Sequence, residues 1–300
     1  MEKKYLEKVP DWYKSNEKFD LVLSDDIDSL ASISVVQSVH KNWNVEYFYD
    51  FDNIYASNDV YFKENKSATR VWVDVAIVKK EMAFDNHISR KDMEDYTNSL
   101  CINPNILANV TNYGYGRKYA GSTALLVWSL YNIPLPTTEE GKMLLLAIDS
   151  TFKGFYDSRF KERNRFFLCD VLGLEELYEV EKRHTINEFY QIISKYGLSN
   201  KIRYNSETKR IETKLDVETI GELLCIDIKL PTQEFNHWRS FQQYQGNMQV
   251  LLPYSFGVYT IFHYQKQKKV RCCYLLLIAH SKDFTVANSR KETDFSYVMY

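Results

Sequence analysis

Glycine is scarce in this chain of 300 residues: it has 10, about half the usual share. Neither G-x-x-x-x-G-K-S/T nor G-x-G-x-x-G occurs, which sets aside the glycine-rich loops that cradle nucleotide phosphates. Cysteine is equally thin. Cys101, Cys169, Cys225, Cys272 and Cys273 are odd in number, lack the C-x-x-C spacing of a zinc site, and read as reduced core thiols. Charge of one sign is missing too, since 38 Lys+Arg against 40 Asp+Glu leave a net charge of −2. Coating of long duplex nucleic acid is therefore disfavoured, while a local basic groove stays open. No run approaches the roughly 18 apolar residues of a membrane span. The charged start MEKKYLEKVPDWYKSNEKFD has no apolar core of a secretion signal, so the expectation is a cytoplasmic protein with no membrane partner. No G-x-S-x-G elbow supports serine hydrolase chemistry, and His40, His184, His237, His263 and His280 show no ligand spacing, reading as structural or surface residues.

What is present is an ordinary globular balance, 45% apolar and 26% charged. DLVLS (20–24) reads as a strand, and SLASISVVQSVHKNW comes next with apolar residues at helical spacing. VEYFYDF (45–51), VWVDVAI (71–77) and EMAF (81–84) read as further strands, each delivering polar residues at its end. GSTALLVWSLYN (121–132) predicts a helix capped by Ser122 or Thr123, and TTEEGKMLLLAI (137–148) one capped by Thr137 or Thr138. Strands alternating with helices predict an α/β domain with a mostly parallel sheet over residues 1–157. LGLEELYEVEKRHTINEFYQIISKYG predicts a helical connector (158–199) ending at Gly197. From residue 200, short alternating runs such as KIRYN and RIETKLDV predict a smaller α+β domain (200–300).

Acidic residues gather at element ends. Asp25, Asp26 and Asp28 crowd the exit of the first strand, where they repel one another unless a cation or protons compensate. One of them is also a natural cap for the next helix. Asp74 lies in the apolar run VWVDVAI, where a carboxylate needs a partner or a metal. Asp85 and His87 come after EMAF, and Asp149 ends MLLLAI. Carboxylates and an imidazole at four element ends are the donors that Mn²⁺ or Mg²⁺ takes.

These residues resemble the motifs of the DHH phosphoesterases. Asp26-Ile27-Asp28-Ser29-Leu30-Ala31-Ser32 is similar to the family's D-x-D-G-x-x-S, with Ser29 in place of glycine. Asp74 resembles the second motif, Asp85-Asn86-His87 stands where Asp-His-His is expected, and Asp149-Ser150-Thr151-Phe152 resembles Asp-Thr-x-x-Phe. The resemblance runs from about residue 20 to 157 in the family's order. It implies a phosphoesterase with two Mn²⁺ (or Mg²⁺) ions, ligated by Asp26, Asp28, Asp74 and Asp149, with Asp74 bridging. Two ions about 3.5–4 Å apart would clamp a phosphate and acidify a bridging water. His87 would contact the phosphate or assist proton transfer.

The chain departs from the pattern at Ser24, where the family usually has His or Asp, and at Asn86, which replaces the first histidine. Asn86 offers a carbonyl oxygen, a poorer ligand than imidazole for Mn²⁺, so that either Asp25 or His87 compensates or one metal site is lost. The G-G-G-H signature common in the family's second domain is absent after residue 200, and Ser289 and Arg290 in FTVANSRKE faintly resemble its S-x-R stretch. Lys266, Lys268, Lys269 and Arg271 form a basic run beside Tyr264 that reads first as a solvated turn. Arg90 and Lys153, each just past a motif, are the other candidates to bind substrate. The expected function is hydrolysis of phosphodiester bonds in a short single-stranded oligonucleotide or a small phosphorylated nucleotide. The alternative is a catalytically degenerate DHH fold that binds nucleic acid, nucleotide or a protein partner. A homodimer is left open.

Overall fold

A computed structural model of the chain describes residues 1–62, 69–90, 92–240, 284–288 and 295–299. Its centre is a seven-stranded, mostly parallel sheet in a mixed α/β fold. The strands are β1 (Asp20–Leu23), β2 (Asn44–Tyr49), β3 (Asn53–Ser57), β4 (Arg70–Val73), β5 (Met82–Phe84), β6 (Cys101–Ile102) and, past a β7–β8 hairpin (Ile202–Asn205, Arg210–Thr213), β9 (Phe235–Ser240). Their order is β6-β5-β4-β1-β2-β3-β9. β1 pairs in parallel with both β2 and β4, and β4, β5 and β6 continue in parallel, whereas β3 and β9 run antiparallel at the far edge. The chain moves from β1 to β2 on one side and returns to β4 on the other. Such a reversal, here at the carboxyl ends of β1 and β4, is where open α/β sheets take their ligands.

β1 and β4 are short and nearly all apolar because both faces are covered, the pattern expected of central parallel strands. One face packs into the larger core with α1 (Ile27–Val39), α2 (Thr123–Leu130) and α3 (Glu139–Ala147), through Leu21, Leu23, Val71, Val73, Leu30, Leu126 and Leu145. The other face presents Val22, Tyr47, Tyr49, Ile54 and Trp72, against which Trp238 of β9 packs. Ser122 caps α2 and Thr138 caps α3, so each of the two caps falls on one member of the residue pair the sequence offered.

Several elements differ from the sequence expectation. β4 stops at Val73, so Asp74 leaves the sheet instead of lying within a strand, with its backbone turned to φ 61°. The expected connector helix is two helices, α4 (Glu175–Arg183) and α5 (Ile186–Lys195), because Thr185 and Glu188 form a capping box that starts a new helix. α5 ends as expected at Gly197, whose φ of 59° lets the N–H groups of Gly197 and Leu198 close onto Ser194 and Ile193. β9 comes from beyond residue 200 yet completes the edge of the main sheet. Cys101 and Cys169 are buried thiols, but Cys225 is exposed at the end of α6 (Val217–Leu224), where it takes the left-handed cap position. Strands β10 (Phe284–Asn288) and β11 (Phe295–Met299) pair with each other. Cys272, Cys273, Tyr264, Lys266, Lys268, Lys269, Arg271, Ser289, Arg290, His263 and His280 lie outside the described residues.

Candidate functional site

Three residues from two strand ends meet beside the sheet's carboxyl edge. Asp74 comes after β4, and Asp85 and His87 after β5, one strand further out. Ligand atoms of Asp74, Asp85 and His87 all lie within 4.8 Å of one another. Asp85 is fully buried, and its Oδ1 is 2.6 Å from His87 Nδ1. A carboxylate only accepts, so this nitrogen carries the hydrogen and Nε2 becomes the ring atom suited to a metal or a phosphate oxygen. The His87 side chain is 15% exposed against 0% for Asp85, which makes the imidazole the member that meets solvent.

Two buried asparagines fix this turn. Asn103 Nδ2 donates to Asp85 Oδ2 at 2.9 Å and to the His87 carbonyl at 2.7 Å. Asn105 Nδ2 donates to the Asn86 carbonyl at 2.7 Å, while its Oδ1 accepts the Tyr119 N–H. Sequence reasoning missed both. The signal was legible in Asn103-Pro104-Asn105, since Asn before Pro starts a helix, and Asn103 does cap the short turn Pro104–Leu107.

The N-terminus of α2 ties the acids together. Asp28 is completely buried and accepts the backbone N–H groups of Thr123 (2.9 Å) and Ala124 (2.7 Å). The hydroxyl of the same Thr123 donates to Asp74 Oδ1 at 3.0 Å. Burial first, then the charges of Asp28 and Asp149, raise the Tyr119 pKa well above its ordinary value, so both carboxylates act on that one phenol. Asn86 Nδ2 donates to Asp149 Oδ2 at 3.0 Å and to the Gly121 carbonyl. Asp149 and Ser150 have φ of 51° and 56°, so with Asp74 three residues around the site hold left-handed backbone, at a cost of about 1–2 kcal/mol each.

Asp26 is the cap of α1, its Oδ1 accepting from the N–H groups of Asp28 and Ser29. Asp25 and Asp26 are both met by Lys201, whose Nζ is 2.7 Å from one and 3.4 Å from the other. Lys201 is distant in sequence, and nothing in its own neighbourhood announces this contact. The Ser29 hydroxyl donates to the Val73 carbonyl and accepts the Ser24 N–H, stitching the β1 exit to β4.

The candidate substrate residues are not gathered in the same way. Arg90 is buried, with Nε on the Val110 carbonyl and Nη2 on Asn109 Oδ1. Lys153 is exposed and lies over the Tyr190 ring at 5.7 Å. Of the remaining histidines, His40 is buried against Trp43 with its pKa lowered by burial, and His184 sits between Glu139 and Glu188. Among the described residues no helix is long and apolar enough to cross a membrane.

No family model, curated protein or solved structure matches this chain.

Proposed function

We propose that this chain is a divalent-metal-dependent phosphodiester hydrolase of the DHH type, acting on short single-stranded oligonucleotides or small phosphorylated nucleotides. The observation that carries the reading is the grouping of Asp74, Asp85 and His87 within 4.8 Å at the carboxyl edge of a parallel sheet. Two carboxylates and an imidazole fit Mn²⁺ or Mg²⁺. The His87–Asp85 contact is the support that metal-ligating histidines ordinarily have behind them. The left-handed backbone at Asp74 and Asp149 adds weight, because such conformations persist where the surroundings hold a functional group in place.

In this reading Asp74 and His87 Nε2 hold the ion, with Asp85 behind the imidazole and Asp149 and Asp28 adding negative charge around it. A bound ion supplies charge neutralisation at the phosphoryl oxygens and an acidified water. The chain's own part is positional. Thr123 orients Asp74, Asn103 orients Asp85, and Asp85 in turn holds the His87 ring by Nδ1 so that Nε2 is presented to the ion beside the reacting phosphate. Ser289, Arg290 and Lys153 remain the proposed contacts for the rest of the substrate, in a cytoplasmic protein that works as a monomer or a homodimer.

A second reading has its own observation. The Asn86 amide donates to Asp149, and Lys201 pairs with Asp25 and Asp26, so three expected ligands already have protein partners. That suits a degenerate protein that binds nucleotide, nucleic acid or a protein partner without cleaving it. The deciding experiment is hydrolysis of a panel of dinucleotides, cyclic dinucleotides, polyphosphate and labelled single-stranded oligomers with Mn²⁺ or Mg²⁺. Turnover that disappears in Asp74→Asn upholds the enzyme. Binding without turnover on every member moves the conclusion to the second reading.

A further inference from the structure

The acids at the sheet's carboxyl edge divide by the kind of partner they have. Asp25, Asp26 and Asp28 lie just past β1, and each meets a source of positive charge. Asp26 caps α1, Asp28 accepts the first N–H groups of α2, and Lys201 bridges Asp25 and Asp26. Helix N-termini act as partial positive charges of about +0.5. At Asp74 and Asp85 the contacts include a hydroxyl from Thr123, an amide from Asn103 and the His87 imidazole, none of these three being a lysine ammonium or a helix N–H.

Lys201 is built into its position. The next N–H, of Ile202, donates to the Asp25 carbonyl at 2.7 Å, and the Lys201 carbonyl accepts from Thr213 Oγ1 at 3.1 Å. The β7–β8 hairpin that carries it is held to the main sheet, with Tyr204 stacked on Tyr55 at 4.1 Å and its hydroxyl on the Phe235 carbonyl. The backbone that carries Lys201 is thus held at the β1 exit, and the half-exposed side chain reaches both carboxylates from there.

We infer that the centre takes one divalent ion, at Asp74 and His87 with Asp85 behind the imidazole, and that the Lys201 ammonium supplies at Asp25 and Asp26 the positive charge that a two-ion centre would draw from its second metal. This rests on the proposed metal centre and narrows it. Two cations competing for the same carboxylates repel each other, so an ion at Asp26 has to displace the lysine. Removing the lysine leaves two crowded carboxylates that attract a cation from solution.

The test is equilibrium dialysis of the full chain against Mn²⁺ with metal analysis, for wild type, Lys201→Met, Lys201→Arg and Asp74→Asn. Thermal melts show which variants are folded. The expected result is one ion per chain in wild type and in Lys201→Arg, a second and weaker ion in Lys201→Met, and loss of the first ion in Asp74→Asn. Two ions in the wild type, or a count and affinity in Lys201→Met that equal those of the wild type, overturn the inference. No ion bound by the wild type fails differently: it removes the metal reading itself, and the inference with it. If Lys201→Met does not fold, Lys201→Gln replaces it with the same expected second ion.

Discussion

The exits of β1 and β5 carry the same side chain to different ends. After β1, Asp26 and Asp28 are consumed by helix starts, one capping α1 and the other taking two N–H groups from α2. After β5, Asp85 has no helix to cap and turns to an imidazole and an amide. The difference lies in the segment that each strand leads into. A carboxylate that precedes a helix is recruited by the unsatisfied N–H groups there. One that enters an irregular turn is available to orient chemistry. Identical residues in a motif thus have to be sorted by their partners before a role is assigned.

The sharpest way to break this comparison is Asp74→Asn, which removes a carboxylate from the β4–β5 cluster. Metal-dependent turnover should fall to background, and the first-ion affinity should drop by orders of magnitude in calorimetry, with the melting temperature little changed. Asn103→Ala tests the support behind His87. Loss of second-sphere partners costs roughly 10–100-fold in metal affinity, and the same is expected here in a Mn²⁺ titration. Restoration by Asn103→Gln would point to lost volume and not to the paired hydrogen bonds, since the longer amide cannot reach both acceptors in the same geometry.

Asp28→Ala probes the other side. It removes the acceptor for two buried N–H groups, at roughly 2–3 kcal/mol. Urea unfolding should register that loss, while ion affinity at Asp74 changes far less than in Asp74→Asn. An equal fall in ion affinity for both variants would erase the distinction between the two exits.

The smallest effect is expected far from both, at Glu181. It is fully buried, its Oε1 has no hydrogen-bond partner among the described residues, and burial pushes its pKa well above the ordinary glutamate value. The unfolded chain releases this proton near pH 4.5 and the folded chain only at higher pH, so the group's contribution to stability declines as pH rises between those two values. Glu181→Gln should therefore flatten the pH dependence, gaining melting temperature over wild type at pH 8 and little at pH 5. A gain equal at both values would show that charge burial is not the cause.

Much of the fold could be read from the chain because apolar runs and caps are local signals. β1, β2 and β5, the helices capped by Ser122 and Thr138, and the stop at Gly197 are each set by residues within a turn of the feature. The strand reading ran too far at VWVDVAI because apolar pattern alone does not register the left-handed turn at Asp74. β3 and β9 escaped because NIYAS and FNHWRS are short and become strands by pairing across the fold, β3 with β2 and β9 with β3. At the site, Asp85 and His87 were legible as an acid and an imidazole past a strand, and Asp74 as a carboxylate that an apolar run has to satisfy. Thr123, Asn103, Asn105 and Lys201 were not, since each acts through a contact across the fold that spacing does not encode.

A metal centre in the cluster after β4 and β5 would be visible in a crystal of the full chain soaked in Mn²⁺ and measured for anomalous scattering. The expected peak lies within bonding distance of Asp74 and of His87 Nε2. A soaked crystal with no peak there, or with its peak at Asp25 and Asp26 in place of Lys201, would contradict that centre.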